Sequence, residues 1–176
     1  MLARFRFAMP TKVFFGQGCV KNQRSEWVLG SKALIVTGRS SAKLSGALDD
    51  VLDSIGVDYE VFSEVENNPS LATVAQGGRA AREAGCDFVV AIGGGSPLDA
   101  AKVIAVLARN EKDPLDLYSQ GWENRALPVV AIPTTAGTGS EVTQYAVLTI
   151  ERDRTKRGLG GFDMFPAVAL LDPTYT

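Results

Sequence analysis

Asp87-Phe88-Val89-Val90-Ala91-Ile92-Gly93-Gly94-Gly95-Ser96-Pro97-Leu98-Asp99-Ala100-Ala101-Lys102 is the most informative run of the chain. After Asp87, Phe88 to Ile92 are apolar and rich in β-branched and aromatic types, the pattern of a strand buried on both faces of a parallel sheet. Three glycines end the run. A helix is expected next, because Ser96 suits the N-cap, Pro97 the first helical position, and Asp99 the place from which a capping-box carboxylate reaches back. Ala100, Val103, Ile104 and Leu107 then recur on one face at helical spacing. A glycine turn into a helix N-terminus leaves backbone N–H groups unscreened by Cβ atoms, with the helix dipole added to them, which makes a candidate phosphate site. Neither common phosphate fingerprint is matched: Leu98 stands where the third glycine of G-x-G-x-x-G would fall, and no Gly-Lys-Ser/Thr follows. The alternative is a plain glycine turn.

With 176 residues, 45% hydrophobic and 22% charged, the chain can bury a core and has the composition of one globular domain, or one and a fragment. A net charge of −2 and a pI near 5.2 argue against nucleic acid or an anionic membrane as partner. No run reaches the roughly 18 apolar residues of a membrane span. The opening Met1-Leu2-Ala3-Arg4-Phe5-Arg6-Phe7 lacks the apolar core of a signal peptide, so a cytoplasmic protein is expected. Cys19 and Cys86, far apart and without metal-type spacing, read as reduced structural thiols. The chain has no histidine, which excludes Ser-His-Asp and Cys-His nucleophilic machinery and removes the commonest transition-metal ligand.

Outward from the glycine turn, the N-terminal part reads as two short strands, Phe5 to Phe7 and Lys12 to Phe15, followed by a weak helix from Cys19 to Leu29. Ala33 to Thr37 is an apolar strand stopped by Gly38-Arg39-Ser40-Ser41. In dinucleotide folds a carboxylate at the end of such a strand binds the adenosine ribose hydroxyls and would repel a 2′-phosphate. Here it is absent. Gly38 leaves room, and Arg39, Ser40 and Ser41 offer a cation and two hydroxyls to a phosphate, which favours NADP over NAD; the alternative is a solvated turn.

Leu44 to Ile55 reads as a helix closed by Gly56, and Asp58 to Phe62 alternates as a strand. Asn67-Asn68-Pro69-Ser70 turns the chain and caps the next helix; Asn68 is read first as a cap and second as a ligand contact. Beyond an irregular segment from Asn110 to Trp122, the strand Leu127 to Ile132 runs into Pro133-Thr134-Thr135-Ala136-Gly137-Thr138-Gly139-Ser140-Glu141-Val142-Thr143. Four threonines, two glycines and a serine in this loop are more hydroxyls than a turn needs, and suit a pyrophosphate or ribose. In an open parallel sheet such loops meet in the crevice beyond the strand C-termini. Gln144 to Ile150 and Ala167 to Leu171 read as strands around a charged, solvated turn, Glu151 to Arg157.

With both loops read, the chain resembles the iron-dependent (group III) alcohol dehydrogenase family, which shares its fold with glycerol dehydrogenases and dehydroquinate synthases. The resemblance is carried by Pro10-Thr11-Lys12-Val13-Phe14-Phe15-Gly16, by Gly93 to Lys102, by Ile132 to Thr143 and by Leu171-Asp172-Pro173, and covers nearly the whole chain. It implies an α/β fold in which residues 1–176 form a dinucleotide-binding domain, an open Rossmann-like parallel sheet with helices on both faces and short N-terminal strands. It implies that the dinucleotide phosphates lie on Gly94, Gly95 and Ser96, with Pro97 beside them, Asp99 near the nicotinamide side and Asn68 from the preceding loop. Thr134, Thr135, Thr138 and Thr143 would line the adenosine and ribose, and Lys156 would reach a ribose or phosphate. Gly38, where NAD-preferring relatives have Asp, fits the NADP pattern, with NAD as second choice.

In this family one Asp and three His on a following helical domain hold iron or zinc, and those positions would lie beyond Thr176, so no catalytic or metal-ligating residue is expected here. The implied function is that of the NADP(H)-binding domain of a metal-dependent dehydrogenase of small alcohols and aldehydes, binding dinucleotide alone but turning over little. Its candidate partners are the dinucleotide, the alcohol or aldehyde in the full enzyme, and a second copy of the chain. A non-catalytic nucleotide-binding or structural module, and a glycerol dehydrogenase-like or dehydroquinate synthase-like enzyme, are the competing readings.

Overall fold

The structure is a computed structural model and describes residues 7–176. Along them run β1 (Lys12–Phe15), α1 (Cys19–Asn22), α2 (Arg24–Trp27), β2 (Lys32–Gly38), α3 (Ser41–Leu44), α4 (Ala47–Ile55), β3 (Asp58–Val65), α5 (Leu71–Ala84), β4 (Phe88–Gly93), α6 (Gly95–Arg109), α7 (Leu117–Gln120), β5 (Val129–Pro133), β6 (Tyr145–Ile150), β7 (Thr155–Gly160) and β8 (Val168–Leu171). Six strands form a parallel sheet in the order β1-β8-β5-β4-β2-β3, while β6 and β7 pair antiparallel as a separate ribbon.

All six residues of β4 are buried, as an unbroken apolar run requires of a central strand. Side chains alternate between two cores. Leu34, Val36, Val89, Ala91, Val129 and Ala131 pack toward α5 and α6; Ala33, Ile35, Phe88, Val90, Ile92, Val130 and Ile132 pack on the opposite face with Trp27, Val51 and Ile55. Helices therefore cover both faces, the open Rossmann-like arrangement expected. At its N-terminal end β4 is tied to β2 by Asp87, which accepts from Ser31 N (2.8 Å), Ser31 Oγ (2.7 Å) and Lys32 N (3.0 Å). Burial pushes the Asp87 carboxyl up, but these bonds outweigh it and hold the group below its usual range. The helices α5 and α6 approach closely through Gly77 and Gly78; a Cβ on Gly78 would stand 2.5 Å from Leu107 Cβ.

The order of the sheet positions the site. From β2 the chain steps outward to β3, returns to lay β4 on the other side of β2, and then moves away through β5 to β8. The direction reverses between β2 and β4, so the connections leaving their C-terminal ends diverge and open a crevice.

Several sequence expectations are corrected. The helix after the glycines starts at Gly95 with Gly94 as N-cap and no side-chain cap, so Ser96 and Pro97 are its second and third residues and Asp99 closes no capping box. Proline is tolerated there because the N–H groups of the first turn have no intrahelical acceptor. The weak helix after Gly18 is two short helices, α1 and α2, and the helix expected from Leu44 is broken by Gly46 into α3 and α4. The charged run 151–157 is not wholly a turn, since Thr155, Lys156 and Arg157 belong to β7, where they pair with β6. The strand expected at 5–7 falls largely outside the described residues, and Phe7 has no regular structure.

Candidate functional site

Two segments meet where the strand order reverses: residues 38–41 at the end of β2 and residues 94–97 after β4. With Val65, Glu66, Asn67, Thr134 and Thr135 they line a cleft of about 520 Å³. Gly93 has φ 144°, which side chains rarely adopt, and a Cβ there would stand 2.7 Å from Pro97 Cγ. A Cβ on Gly94 would press on Thr135 Oγ1, and one on Gly95 on Thr138 Cγ2, each at 3.2 Å. The glycines thus let the threonine loop close over the start of α6. The Gly95 and Ser96 amides, in the first turn of a fifteen-residue helix, have no i−4 carbonyl to bond, and this is the arrangement that receives phosphate oxygens.

At the far side of this cleft, a Cβ on Gly38 would meet Val65 O at 3.4 Å and Pro97 Cγ at 3.7 Å, so a side chain has ordinary room there. Arg39 extends from the same loop with Nη2 3.7 Å from Glu64 Oε2, both side chains well exposed. Glu66 accepts from Ser70 N (2.8 Å) and Thr73 Oγ1 (2.8 Å). Burial pushes its carboxyl up, but these bonds outweigh it and hold it below its usual range, so its negative charge is engaged at the start of α5.

On the other side of Gly95 and Ser96 lies a second chamber of about 470 Å³, walled by the β6–β7 ribbon, the Asn68 turn and α6. Asn68, at φ 60°, joins these walls: its N–H donates to Ser96 Oγ (3.2 Å), its carbonyl accepts from Thr149 Oγ1 (3.1 Å), and its Oδ1 accepts from Lys156 Nζ (2.7 Å). Asp99 Oδ1 accepts from Ser140 Oγ (2.6 Å) and Oδ2 from Val147 N (2.9 Å). Behind them Lys102, fully buried, donates from Nζ to Ser140 Oγ (2.8 Å), Tyr145 O (2.8 Å) and Thr143 Oγ1 (3.4 Å), with Asp99 Oδ1 3.7 Å away. Burial pushes the Lys102 ammonium down to about 8, against the Asp99 and Glu141 carboxylates, which hold it up.

The expected residues thus fall in two adjoining spaces. Gly38, Arg39, Ser40, Ser41, Gly94, Pro97, Thr134 and Thr135 line the first, Asn68, Asp99, Thr138, Thr143 and Lys156 the second, and Gly95 and Ser96 border both. The four threonines do not share one surface, because their loop crosses over Gly95 between Thr135 and Thr138. Capping of α5 falls to Ser70, which accepts from Thr73 N, and leaves Asn68 to the ribbon. Sequence reasoning passed over Lys102, Tyr145 and Glu66, and took Ser140 only as one of the loop's hydroxyls; the available signal was a lysine three residues after Asp99 within an otherwise apolar helix. Among the described residues no group of three or more His, Cys, Asp or Glu is placed to hold a metal ion, so these residues do not fit an iron or zinc site. No helix among them is long and apolar enough to cross a membrane.

The family model of iron-containing alcohol dehydrogenases matches residues 10–173. The chain is 38% identical over 177 residues to NADH-dependent butanol dehydrogenase B of Clostridium acetobutylicum, covering 98% of this chain and 45% of that protein. It is 33% identical over 175 residues to the NADPH-dependent butanol dehydrogenase of Clostridium saccharobutylicum, covering 95% and 44%. The crystal structure of an iron-containing alcohol dehydrogenase from Thermotoga maritima superposes with a TM-score of 0.88 at 47% identity, over 98% of this chain and 49% of the other. The chain spans about half the length of the relatives it matches.

Proposed function

Since this chain belongs to the iron-containing alcohol dehydrogenase family, we propose that residues 1–176 form a dinucleotide-binding domain that prefers NADP(H). We propose further that the whole protein, in the cytoplasm, passes hydride between the nicotinamide and a small alcohol or aldehyde. The observation that carries the reading is the cleft at the strand-order reversal, floored by an open glycine turn and the N-terminus of α6. In this reading the phosphates lie on Gly94, Gly95 and Ser96, the adenosine half occupies the first cleft, and the nicotinamide half passes Gly95 into the second chamber, toward Asp99. The bound nicotinamide supplies the hydride chemistry; the residues of this chain hold and orient it. No metal ligand is assigned among them, and the chain alone is expected to bind cofactor with little turnover.

The names of the two butanol dehydrogenases divide between NADH and NADPH, so the preference rests on residues 38–41. Gly38 provides no carboxylate to repel a 2′-phosphate, while Arg39, Ser40 and Ser41 line the same end of the cleft. Calorimetric titration tests this. NADPH is expected to bind in the micromolar range and NADH about tenfold or more weakly, a difference of roughly 1.4 kcal/mol. G38D, whose side chain has room, is expected to reverse the order. Failure of the wild-type chain to bind either nucleotide would remove the reading; equal binding of both, unmoved by G38D, would remove the NADP preference alone.

A further inference from the structure

Of the ten buried residues of α6, nine are apolar and the tenth is Lys102. Desolvating an ammonium costs several kcal/mol, whereas an apolar side chain of similar length would pack there without that penalty. The compensation comes from one place. All of its hydrogen-bond acceptors, Ser140 Oγ, Thr143 Oγ1 and Tyr145 O, belong to the segment that walls the second chamber, and none lines the first cleft. Lys102 itself lines neither space. It reaches the wall from behind, while Asp99 ties Ser140 and Val147 to α6 from the chamber side. The charged groups facing it are Asp99 on its own helix and Glu141 in the threonine loop, one of whose carboxylate oxygens, Oε2, is buried without a hydrogen-bond partner. Only Asp99 of the two borders the second chamber, while Glu141 lines a separate space beside Pro133 and Thr135, so the ammonium lies behind the chamber wall within the field of a carboxylate from each side.

We propose that Lys102 is a positioning residue of the second chamber: its ammonium fixes Ser140, Thr143 and Tyr145 against Asp99, and so sets the fit of the nicotinamide half of the dinucleotide while leaving the adenosine half untouched. The inference rests on the proposed cofactor reading and adds a residue that does not contact the cofactor. Its test compares two ligands on the intact chain, NADPH and 2′,5′-ADP, which lacks the nicotinamide half. K102M is expected to weaken NADPH about tenfold or more and to shift the emission of the bound reduced nicotinamide toward that of the free cofactor. Affinity for 2′,5′-ADP is expected to stay within about twofold. S140A, which removes the hydroxyl shared by Lys102 and Asp99 at little change in volume, is expected to show the same selective loss and carries the comparison if K102M does not fold. Equal loss of both ligands in a folded variant, or no loss of either, would overturn the proposal. A wild-type chain that binds neither ligand would overturn the cofactor reading and this inference with it, whereas wild-type binding of both without selectivity in the variants overturns this inference alone.

Discussion

Lys102 costs the fold stability at neutral pH, and the sign of that cost is measurable. Its pKa of about 8 in the folded chain lies below the ordinary 10.5, so between these values the unfolded chain binds a proton that the folded chain does not. Stability contributed by this residue therefore rises as pH climbs from about 8 to 10.5, and the full penalty, about 3 kcal/mol at most, is present below that window. The stability of wild type relative to K102M is expected to increase between pH 7.5 and 10, read from urea denaturation midpoints at each pH. A constant difference would show that the lysine is not depressed. The comparison between the two chains is essential, because burial pushes the Cys19 thiol up to about 11 and the Tyr175 hydroxyl up as well, and both destabilise the fold as pH rises through their unfolded values. In the sequence Lys102 is visible three residues after Asp99, but its partners lie some forty residues further on, and no local pattern states that Ser140 and Tyr145 fold back over it. Gly38 is the opposite case: the NADP preference proposed for it is read locally, from a carboxylate that is not there.

At the scale of elements, α5 and α6 test packing against propensity. Alanine in place of Gly78 gains about 1 kcal/mol of intrinsic helix propensity. Its Cβ, however, would stand 2.5 Å from Leu107 Cβ and 3.4 Å from the Leu107 carbonyl carbon, with backbone behind it, so the two helices must part. Overpacking of this kind costs about 1–3 kcal/mol. G78A is expected to lower the thermal midpoint by roughly 2–4 °C, the equivalent of a net 1 kcal/mol in a chain of this size; an unchanged or higher midpoint would mean that the helices separate freely. The elements legible in the sequence are those whose burial leaves a period, such as β4 and β5 as apolar runs and α6 as an apolar face. β7 leaves almost none. In Thr155-Lys156-Arg157-Gly158-Leu159-Gly160 only Leu159 is buried, and the strand exists because β6 pairs with it. The start of α6 is displaced as well: Ser96 and Pro97 look like cap residues, yet Gly94 takes the cap, where a Cβ would crowd Thr135 Oγ1 at 3.2 Å.

For the molecule as a whole, the α/β class follows from alternating strand and helix patterns, but the order β1-β8-β5-β4-β2-β3 does not, because β2, β4 and β5 are equally apolar and any could neighbour any other. The division of the candidate site has the same origin: Thr135 and Thr138, three residues apart, separate only once their loop is laid over Gly95. The order of the sheet also dictates an order in time. Lys12 in β1 pairs with Val168 in β8, so the sheet neighbour of β1 is the last of the described strands along the chain. Closing so long a loop is entropically late, and β2, β3 and β4 can assemble well before it. In pulse-labelled refolding, the amides of Lys12 and Gly16, which donate to Ala167 and Leu171, are therefore expected to gain protection after those of β2 and β4; simultaneous protection would sink this sequence of events. Until β8 is available, β1 stays an unpaired strand carrying Val13 and Phe15, exposed among the described residues even when the sheet is complete, which makes it a segment open to chaperones for as long as β8 is missing.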